Sequence, residues 1–136
     1  MSYNKNYTKV IAFDLDNTLC QSIRRNHPED ILKVKPKECS SNNNYKYWID
    51  ILKKLKKKGY KIIIFTRRGC LKNGRKLTIK WLKNYNIPYD KLITEKPHFD
   101  ILIDDRVFSS YTGFVTPKII ESKIRFIKEN CEYIDE

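Results

Sequence analysis

Four short apolar runs, each followed by polar residues, constrain the fold of this chain more than any other feature. Asp14 directly follows the run at residues 9–13, and a threonine follows the run at residues 62–65. The shorter runs at residues 92–93 and 101–103 are also followed by polar residues. Continuous apolar runs of this length are typical of parallel strands whose two faces are both buried. In a strand with one face exposed to solvent, apolar and polar residues alternate instead. The pattern therefore predicts four short parallel strands.

Three further segments carry apolar residues at helical spacing. Residues 45–58 place aromatic and aliphatic side chains on one face and most lysines on the other, and Gly59 ends the helix. A second helix is predicted over about residues 74–85, and a Thr–Pro pair opens a C-terminal helix that we place at residues 117–131. Strands that alternate with helices predict an α/β fold with a mainly parallel sheet covered on both faces.

The length of 136 residues suits one domain, and no internal repeat or linker interrupts it, so we predict a single domain over residues 1–136. Residues 20–44 are polar and irregular, which predicts a long loop or flap. No apolar run approaches the roughly 20 residues of a membrane span, and the polar N-terminus does not resemble a signal peptide. The four cysteines stand apart without a metal-binding spacing, so we expect reduced thiols in a cytoplasmic protein that does not associate with membranes.

The net charge of +12 has two interpretations. Clustered lysine and arginine are typical of a surface that binds nucleic acid or another polyanion. Alternatively, the 21 lysines against 7 arginines reflect an A/T-rich genome and a soluble surface. We prefer the second interpretation because lysine recognises bases less well than arginine, and we keep nucleic acid as the less favoured partner.

Polar side chains that follow the four apolar runs are predicted to meet at one edge of the sheet, where open α/β sheets bind their ligands. Several of them are carboxylates, which repel one another unless a cation lies between them. Hard oxygen ligands with open coordination positions favour Mg²⁺, so we predict Mg²⁺ as the cofactor. The side chains at this edge are Asp14, Asp16, Thr18, Thr66, Arg68, Lys96, Asp104 and Asp105.

These residues resemble, in order, all four motifs of the haloacid dehalogenase (HAD) superfamily of phosphotransferases. The first motif is the D-x-D-x-T stretch from Asp14 to Thr18, and the fourth is the acidic pair that starts at Asp104. The stretches 65–69, 86–90 and 96–106 also resemble small HAD proteins of bacterial capsule and surface-polysaccharide biosynthesis that lack a cap domain. This closer resemblance covers residues 9–108 and implies a three-layer, Rossmann-like HAD core.

The resemblance implies a role for each matching residue. Asp14 would be the nucleophile that forms an aspartyl-phosphate, and Asp16 would protonate the leaving group and then activate water. Thr66 and Lys96 would bind the phosphoryl group, while Arg68 would make a further phosphoryl or sugar contact.

The implied Mg²⁺ ligands are Asp14, the main-chain carbonyl of Asp16, Asp104 and Asp105. There are 47 residues between Thr18 and Thr66 and 29 between Thr66 and Lys96. The predicted flap and core helices account for most of them. We therefore predict that no cap domain covers the site.

Together these features predict a Mg²⁺-dependent phosphomonoester hydrolase that acts on a small phosphorylated substrate, namely a sugar phosphate or polysaccharide precursor. Two alternatives remain open: a phosphatase for the 3′ ends of nucleic acids, and a non-catalytic binding module on the same fold. An uncapped site either accepts a bulky substrate or is roofed by a neighbouring subunit, so a homo-oligomer is a further expectation.

Overall fold

The computed structural model describes residues 9–16, 18–20, 28–36, 47–104, 106–107 and 116–130. The chain divides into two compact units, Met1–His98 and Phe99–Glu136. Within the described residues, the first unit contains three strands and two α-helices, and the second contains one α-helix. That the whole chain forms a single domain stays a prediction.

The first unit is built on a three-stranded parallel sheet in the order β1-β2-β3. The strands are β1 (Val10–Asp14), β2 (Lys61–Phe65) and β3 (Lys91–Ile93). Helix α1 (Tyr47–Lys57) connects β1 to β2, and helix α2 (Gly74–Asn84) connects β2 to β3. The predicted α/β fold with a parallel sheet is thereby confirmed.

One face of this sheet forms the core of the first unit. Phe13 lies opposite Ile64 in the β1–β2 register, and Ile62 and Ile64 are fully buried on that face. The ring of Trp48 from α1 meets Phe13 edge-on at 6.0 Å between centroids. Burial of each large side chain contributes about 1.5–3 kcal/mol, so this face fixes the position of α1 on the sheet.

Helix α1 has charges that suit its dipole. Asp50 lies in its first turn, and Lys54, Lys56 and Lys57 lie in its last turn. Gly59 ends it with φ of +92°, a backbone conformation that only glycine adopts without strain.

Asp90, the residue before β3, connects α1 to the start of β2. It accepts hydrogen bonds from Lys56 Nζ at 2.5 Å and from the Ile62 amide at 2.7 Å. The Lys56 contact lowers the pKa of Asp90 below its ordinary value.

The middle of the segment predicted to be a flap is anchored to the core. Pro28–Leu32 forms a short 3-10 helix in which Ile31 is fully buried. The carbonyl of Val34 then accepts a hydrogen bond from Trp81 Nε1 of α2 at 2.8 Å. Residues 21–27 and 37–44 of the predicted flap lie outside the described residues, as do residues 45–46 of the first predicted helix.

The second unit contains helix α3 (Pro117–Asn130). It begins where the sequence predicts, since the Thr116 hydroxyl accepts a hydrogen bond from the Ile119 amide at 3.2 Å. The fourth strand predicted at residues 101–103 is wrong: Ile101 is 79% exposed, Ile103 is 94% exposed, and the segment is not in a strand. A run of three residues becomes a strand only when a neighbouring backbone pairs with it, and no described residue does so.

No helix in the described part of the chain combines the length and the apolar character that a membrane span requires.

Candidate active site at the carboxyl end of the sheet

The loop that follows β1 is a tight turn around a single carbonyl. The Leu15 carbonyl accepts hydrogen bonds from the amides of Thr18, Leu19 and Cys20 at 3.2, 2.9 and 3.1 Å. The side chains of Leu15, Leu19 and Cys20 are buried, so the turn is fixed to the core. This anchoring places Asp14, at the end of the strand, on a rigid support.

Asp14 is held by two contacts and remains open to solvent. Lys96 Nζ lies 3.2 Å from Asp14 Oδ1, and the Thr18 hydroxyl lies 3.4 Å from Asp14 Oδ2. The Asp14 side chain is 40% exposed, whereas that of Lys96 is 19% exposed. The carboxylate therefore has a cationic neighbour and an open side from which a ligand can approach.

The segment after β3 brings Lys96 to Asp14. The Thr66 amide donates to the carbonyl of Ile93 at 2.9 Å, and the Lys96 amide donates to the carbonyl of Thr66 at 3.1 Å. Lys96 Nζ also lies 5.3 Å from the ring centre of Phe65, the last residue of β2. These backbone bonds extend the pairing of β2 and β3 beyond the strand ends and carry the lysine to the carboxylate.

Asp16 forms a two-point ion pair with an arginine that is almost completely buried. Arg68 Nε lies 3.1 Å from Asp16 Oδ2, and Arg68 Nη2 lies 2.8 Å from Asp16 Oδ1. The side chain of Arg68 is 1% exposed and that of Asp16 is 28% exposed. A planar guanidinium that meets both carboxylate oxygens fixes the orientation of the carboxylate as well as its position.

Cys20 and Trp81 line the cavity that holds Arg68. Arg68 Nη2 donates to Cys20 Sγ at 3.2 Å, and the centre of the Trp81 ring lies 6.0 Å from the guanidinium carbon. Burial raises the pKa of the Cys20 thiol to about 12, so this thiol stays protonated at neutral pH. Arg68 Nη1 is buried and has no hydrogen-bond partner within the described ranges.

Two glycines allow the turn that contains Arg68 to pack closely. A Cβ at Gly74 would lie 1.8 Å from the Arg68 carbonyl oxygen, and a Cβ at Gly69 would lie 2.6 Å from the Thr94 carbonyl oxygen. Both neighbours are backbone atoms, which cannot rotate away as a side chain can. The Arg68–Cys70 3-10 turn therefore requires the absence of a side chain at both glycines.

Gly74→Ala is expected to destabilise the protein by about 3 kcal/mol, because the new methyl group must displace the backbone at Arg68. Gly59→Ala is the matched control, since its Cβ would meet nothing within 4 Å and only its positive φ opposes the change. We expect about 1 kcal/mol there. Urea denaturation of both variants measures the difference, and equal losses would contradict the proposed close contact.

Comparison with known families gives the geometry a context. Residues 9–102 match the family described as polynucleotide kinase 3 phosphatase. The chain belongs to the polynucleotide kinase 3 phosphatase family. The match covers most of the first unit and supports a HAD-type phosphatase, so the resemblance to the HAD superfamily is confirmed.

A crystal structure of a protein from Vibrio cholerae has the same fold as this polynucleotide kinase 3 phosphatase family member. The TM-score is 0.62 at 24% sequence identity, and the comparison covers 90% of this chain and 100% of the other. No curated protein matches the sequence. The resemblance to capsule-biosynthesis proteins stays a prediction.

For this family member, the structure brings five of the predicted site residues into one group of contacts. Asp14 meets Lys96, Asp16 meets Arg68, and the Thr66 hydroxyl accepts the Arg68 amide at 3.3 Å. The substrate contact predicted for Arg68 stays a prediction, because what is observed is its contact with Asp16.

The predicted acidic pair of the fourth motif is described only in part. Asp104 is exposed and accepts a hydrogen bond from the Arg106 amide at 2.9 Å, within the second unit. Asp105 lies outside the described residues. Across the described ranges, no group of three or more His, Cys, Asp or Glu side chains is placed to hold a metal ion.

Two contacts at this edge were missed by the sequence analysis. Cys20 touches Arg68, although nothing in its spacing from Asp16 indicates a role. Arg67 Nη1 lies 2.5 Å from His98 Nδ1, which joins the end of β2 to the segment after Lys96. Both contacts depend on chain reversals that a local pattern does not show.

Proposed function

We propose that this chain hydrolyses phosphomonoesters through a covalent intermediate on Asp14, and that its substrate class is the 3′-phosphorylated end of a nucleic-acid strand. The observation that carries the catalytic part is the Asp14 carboxylate, which is 40% exposed, lies 3.2 Å from a lysine, and stands two residues before a second fixed carboxylate. A nucleophile needs access to the substrate, a charge partner and a nearby proton donor.

The first step is an in-line attack by an Asp14 carboxylate oxygen on phosphorus. The new bond joins this oxygen to phosphorus, the bond from phosphorus to the ester oxygen breaks, and that oxygen leaves with the electron pair. In the second step, water attacks the phosphorus of the aspartyl-phosphate and Asp14 is regenerated. One difficult hydrolysis is thereby divided into two easier steps.

Asp16 is the group that moves protons in this proposal. It gives a proton to the leaving ester oxygen and takes one from the attacking water. Arg68 occupies one lone-pair direction on each Asp16 oxygen, at 3.1 and 2.8 Å, and leaves the others for proton transfer. Arg68 is therefore proposed as a positioning residue, which aims the carboxyl group of Asp16.

Thr66 and Lys96 are proposed to hold the transferred phosphoryl group. The Thr66 hydroxyl accepts a hydrogen bond from the Arg68 amide, which leaves its proton for a phosphoryl oxygen. Lys96 contributes a positive charge beside Asp14, so the dianionic phosphate can approach the carboxylate.

The donor chemistry at this edge suits Mg²⁺. Mg²⁺ commonly takes one or two carboxylates and completes its shell with water and substrate oxygens, so three clustered acids are not required. The exposed carboxylate of Asp14 and the main-chain carbonyl of Asp16 would hold it, with Asp104 and Asp105 as the further proposed ligands. When bound, the ion would neutralise charge on the phosphoryl group.

The choice of a nucleic-acid end over a sugar phosphate rests on two observations. The matching family is described by its polynucleotide 3-phosphatase activity, and the chain has a net charge of +12. Cationic surfaces attract a phosphate backbone over a range set by ionic strength. A sugar phosphate carries no backbone and gains little from such a surface.

A single panel of substrates tests this proposal. With Mg²⁺ present, we expect phosphate release from a 3′-phosphorylated oligonucleotide to exceed that from sugar phosphates and mononucleotides, and to stop when a chelator is added. For the oligonucleotide, kcat/KM should fall steeply as salt rises, because displaced counterions compete for the protein. Preference for a sugar phosphate with a flat salt profile would overturn the substrate class and leave the chemistry at Asp14 intact.

A further inference from the structure

The positive charge of the chain is concentrated in one stretch. Residues 47–98 contain 15 of the 28 lysines and arginines but only 3 of the 16 aspartates and glutamates. Their net charge of +12 equals that of the whole chain, so the remaining residues are neutral in sum. A genome that favours lysine codons would spread lysine along the entire chain without excluding acids from one part of it. The distribution therefore needs a local explanation.

The lysines of α1 have such an explanation in the stability of the helix itself. Its acid, Asp50, lies in the first turn, and three of its four lysines, Lys54, Lys56 and Lys57, lie in the last turn, which is the arrangement that the helix dipole favours. Asp50 also stands four residues before Lys54, a spacing at which opposite charges stabilise a helix. No ligand has to be assumed for the lysines of α1.

Most of the charges of α2 oppose the stability of their own helix, although Lys83 in the last turn suits the dipole. The helix contains no acidic residue, and Arg75 and Lys76 occupy its first turn, where the dipole disfavours cations. Lys76, Lys80 and Lys83 are all exposed and follow one another at spacings of four and three residues, so they form one row, which we call the α2 lysine row. Each like-charged pair costs about 0.2–0.5 kcal/mol.

Among the described residues, no counter-charge is paired with these lysines, and no ion pair joins any member of the α2 lysine row to a carboxylate. The row extends about 10 Å along the helix axis, a length over which a nucleic-acid strand presents about three phosphates. A bound polyanion would remove the repulsion that the free helix carries.

A groove is lined by one member of the α2 lysine row and by the residue that follows Arg68. It has a volume of about 450 Å³ and lies at the start of α2, between the turn after Arg68 and the helix. Gly69, the residue after Arg68, lines it together with Lys76, the first member of the α2 lysine row. Leu71 and Ile79 add apolar surface, and Ile79 is 39% exposed. The groove thus offers apolar surface to a base and a cation to a phosphate.

We infer that the α2 lysine row and this groove bind the backbone of the nucleic-acid strand whose 3′ end reaches Asp14. The inference rests on the substrate class of the proposed function. It adds the path that the strand takes along the protein surface away from the site. Charge complementarity is the argument for this occupant: three aligned cations without acids match a chain of phosphates. Because lysines make point contacts to phosphate, binding along the row is independent of sequence.

The test compares two triple variants of equal charge. One replaces the α2 lysine row (Lys76→Gln, Lys80→Gln, Lys83→Gln), and the control replaces three exposed lysines of α1 (Lys53→Gln, Lys54→Gln, Lys57→Gln). Both lower the net charge by three. Glutamine keeps the helix propensity of lysine, so both variants are expected to fold. Thermal melting by circular dichroism checks this.

The first readout is the affinity for a single-stranded oligonucleotide without a 3′ phosphate, which requires no catalysis. We expect the α2 variant to bind at least about tenfold more weakly at low salt. The slope of the logarithm of its binding constant against the logarithm of the salt concentration should be shallower by about 2. The α1 control should stay within about twofold of the unaltered protein. Equal losses in both variants, or no loss in either, would overturn the inference.

The second readout separates this inference from the proposed function. For a 3′-phosphorylated oligonucleotide, the α2 variant should have a KM raised about tenfold, whereas its turnover of a small aryl phosphate should be unchanged. If the oligonucleotide is hydrolysed but its KM does not respond to the α2 substitutions, the strand path is wrong and the function stands. If binding responds but no 3′ phosphate is released, the function is wrong and the binding surface stands.

Discussion

Asp14→Asn is expected to reduce phosphate release at least about 10⁴-fold while the protein remains folded. The amide cannot form the aspartyl-phosphate, so the reaction loses its covalent route rather than part of its binding energy. Stability should change by less than about 1 kcal/mol, because Asp14 is 40% exposed and its lysine partner can turn to solvent. Release of inorganic phosphate, together with urea denaturation, measures both effects.

Asp90→Asn is the control for this experiment. Asp90 lies at the start of β3, at the opposite edge of the sheet from the end of β1, and the amide can still accept the hydrogen bond of Ile62. Full activity is expected in that variant. Residual turnover of Asp14→Asn above a few per cent of the unaltered protein would exclude Asp14 as the nucleophile.

Asp16→Ala is expected to lower both activity and stability, although it lies only two residues further along the chain. Its loss leaves the Arg68 guanidinium, which is 1% exposed, without its carboxylate. An uncompensated buried charge costs about 3 kcal/mol. Activity should fall by about 10²–10⁴-fold, the usual contribution of a positioned acid–base group. The same measurements as for Asp14→Asn record both effects.

A double variant separates the two roles of Asp16. In Asp16→Ala with Arg68→Met, both charges are absent and an apolar side chain occupies the cavity beside Cys20 and Trp81. We expect stability to return to within about 1 kcal/mol of the unaltered protein, because apolar replacement of a buried ion pair is often neutral. Activity should stay low. A double variant as unstable as Asp16→Ala would show that the buried charge is not the cause of the loss.

Much of the fold follows from local sequence. The apolar runs at β1 and β2 predict their strands to within one residue of the observed bounds, because a buried parallel strand needs continuous apolar side chains. Gly59 ends α1 as predicted, since the chain there adopts a positive φ. The prediction of a strand failed at residues 101–103. The run is apolar, but no described residue pairs with it. A local pattern does not specify such pairing.

The sequence predicted that Asp14, Asp16, Thr66, Arg68 and Lys96 would lie near one another, but it did not predict their contacts. Parallel strands end at one edge, so the side chains after β1, β2 and β3 had to gather there. Which carboxylate meets which cation depends on the path of the chain between them. The contact of Arg68 with Asp16 was not predicted, because it depends on the turn that the close packing of Gly74 against the Arg68 carbonyl fixes. The predicted contact of Arg68 with substrate stays a prediction.

For this protein, the sequence by itself determined the α/β class, the five candidate-site residues at the carboxyl ends of β1, β2 and β3, and the total charge, because each depends on residue type and local spacing. Tertiary structure decided the rest. It paired Lys96 with Asp14 across 82 residues and Arg68 with Asp16 across 52. It also left the lysines of α2 aligned and exposed beside a groove. Such pairings depend on where distant segments pack, and packing is a property of the whole chain.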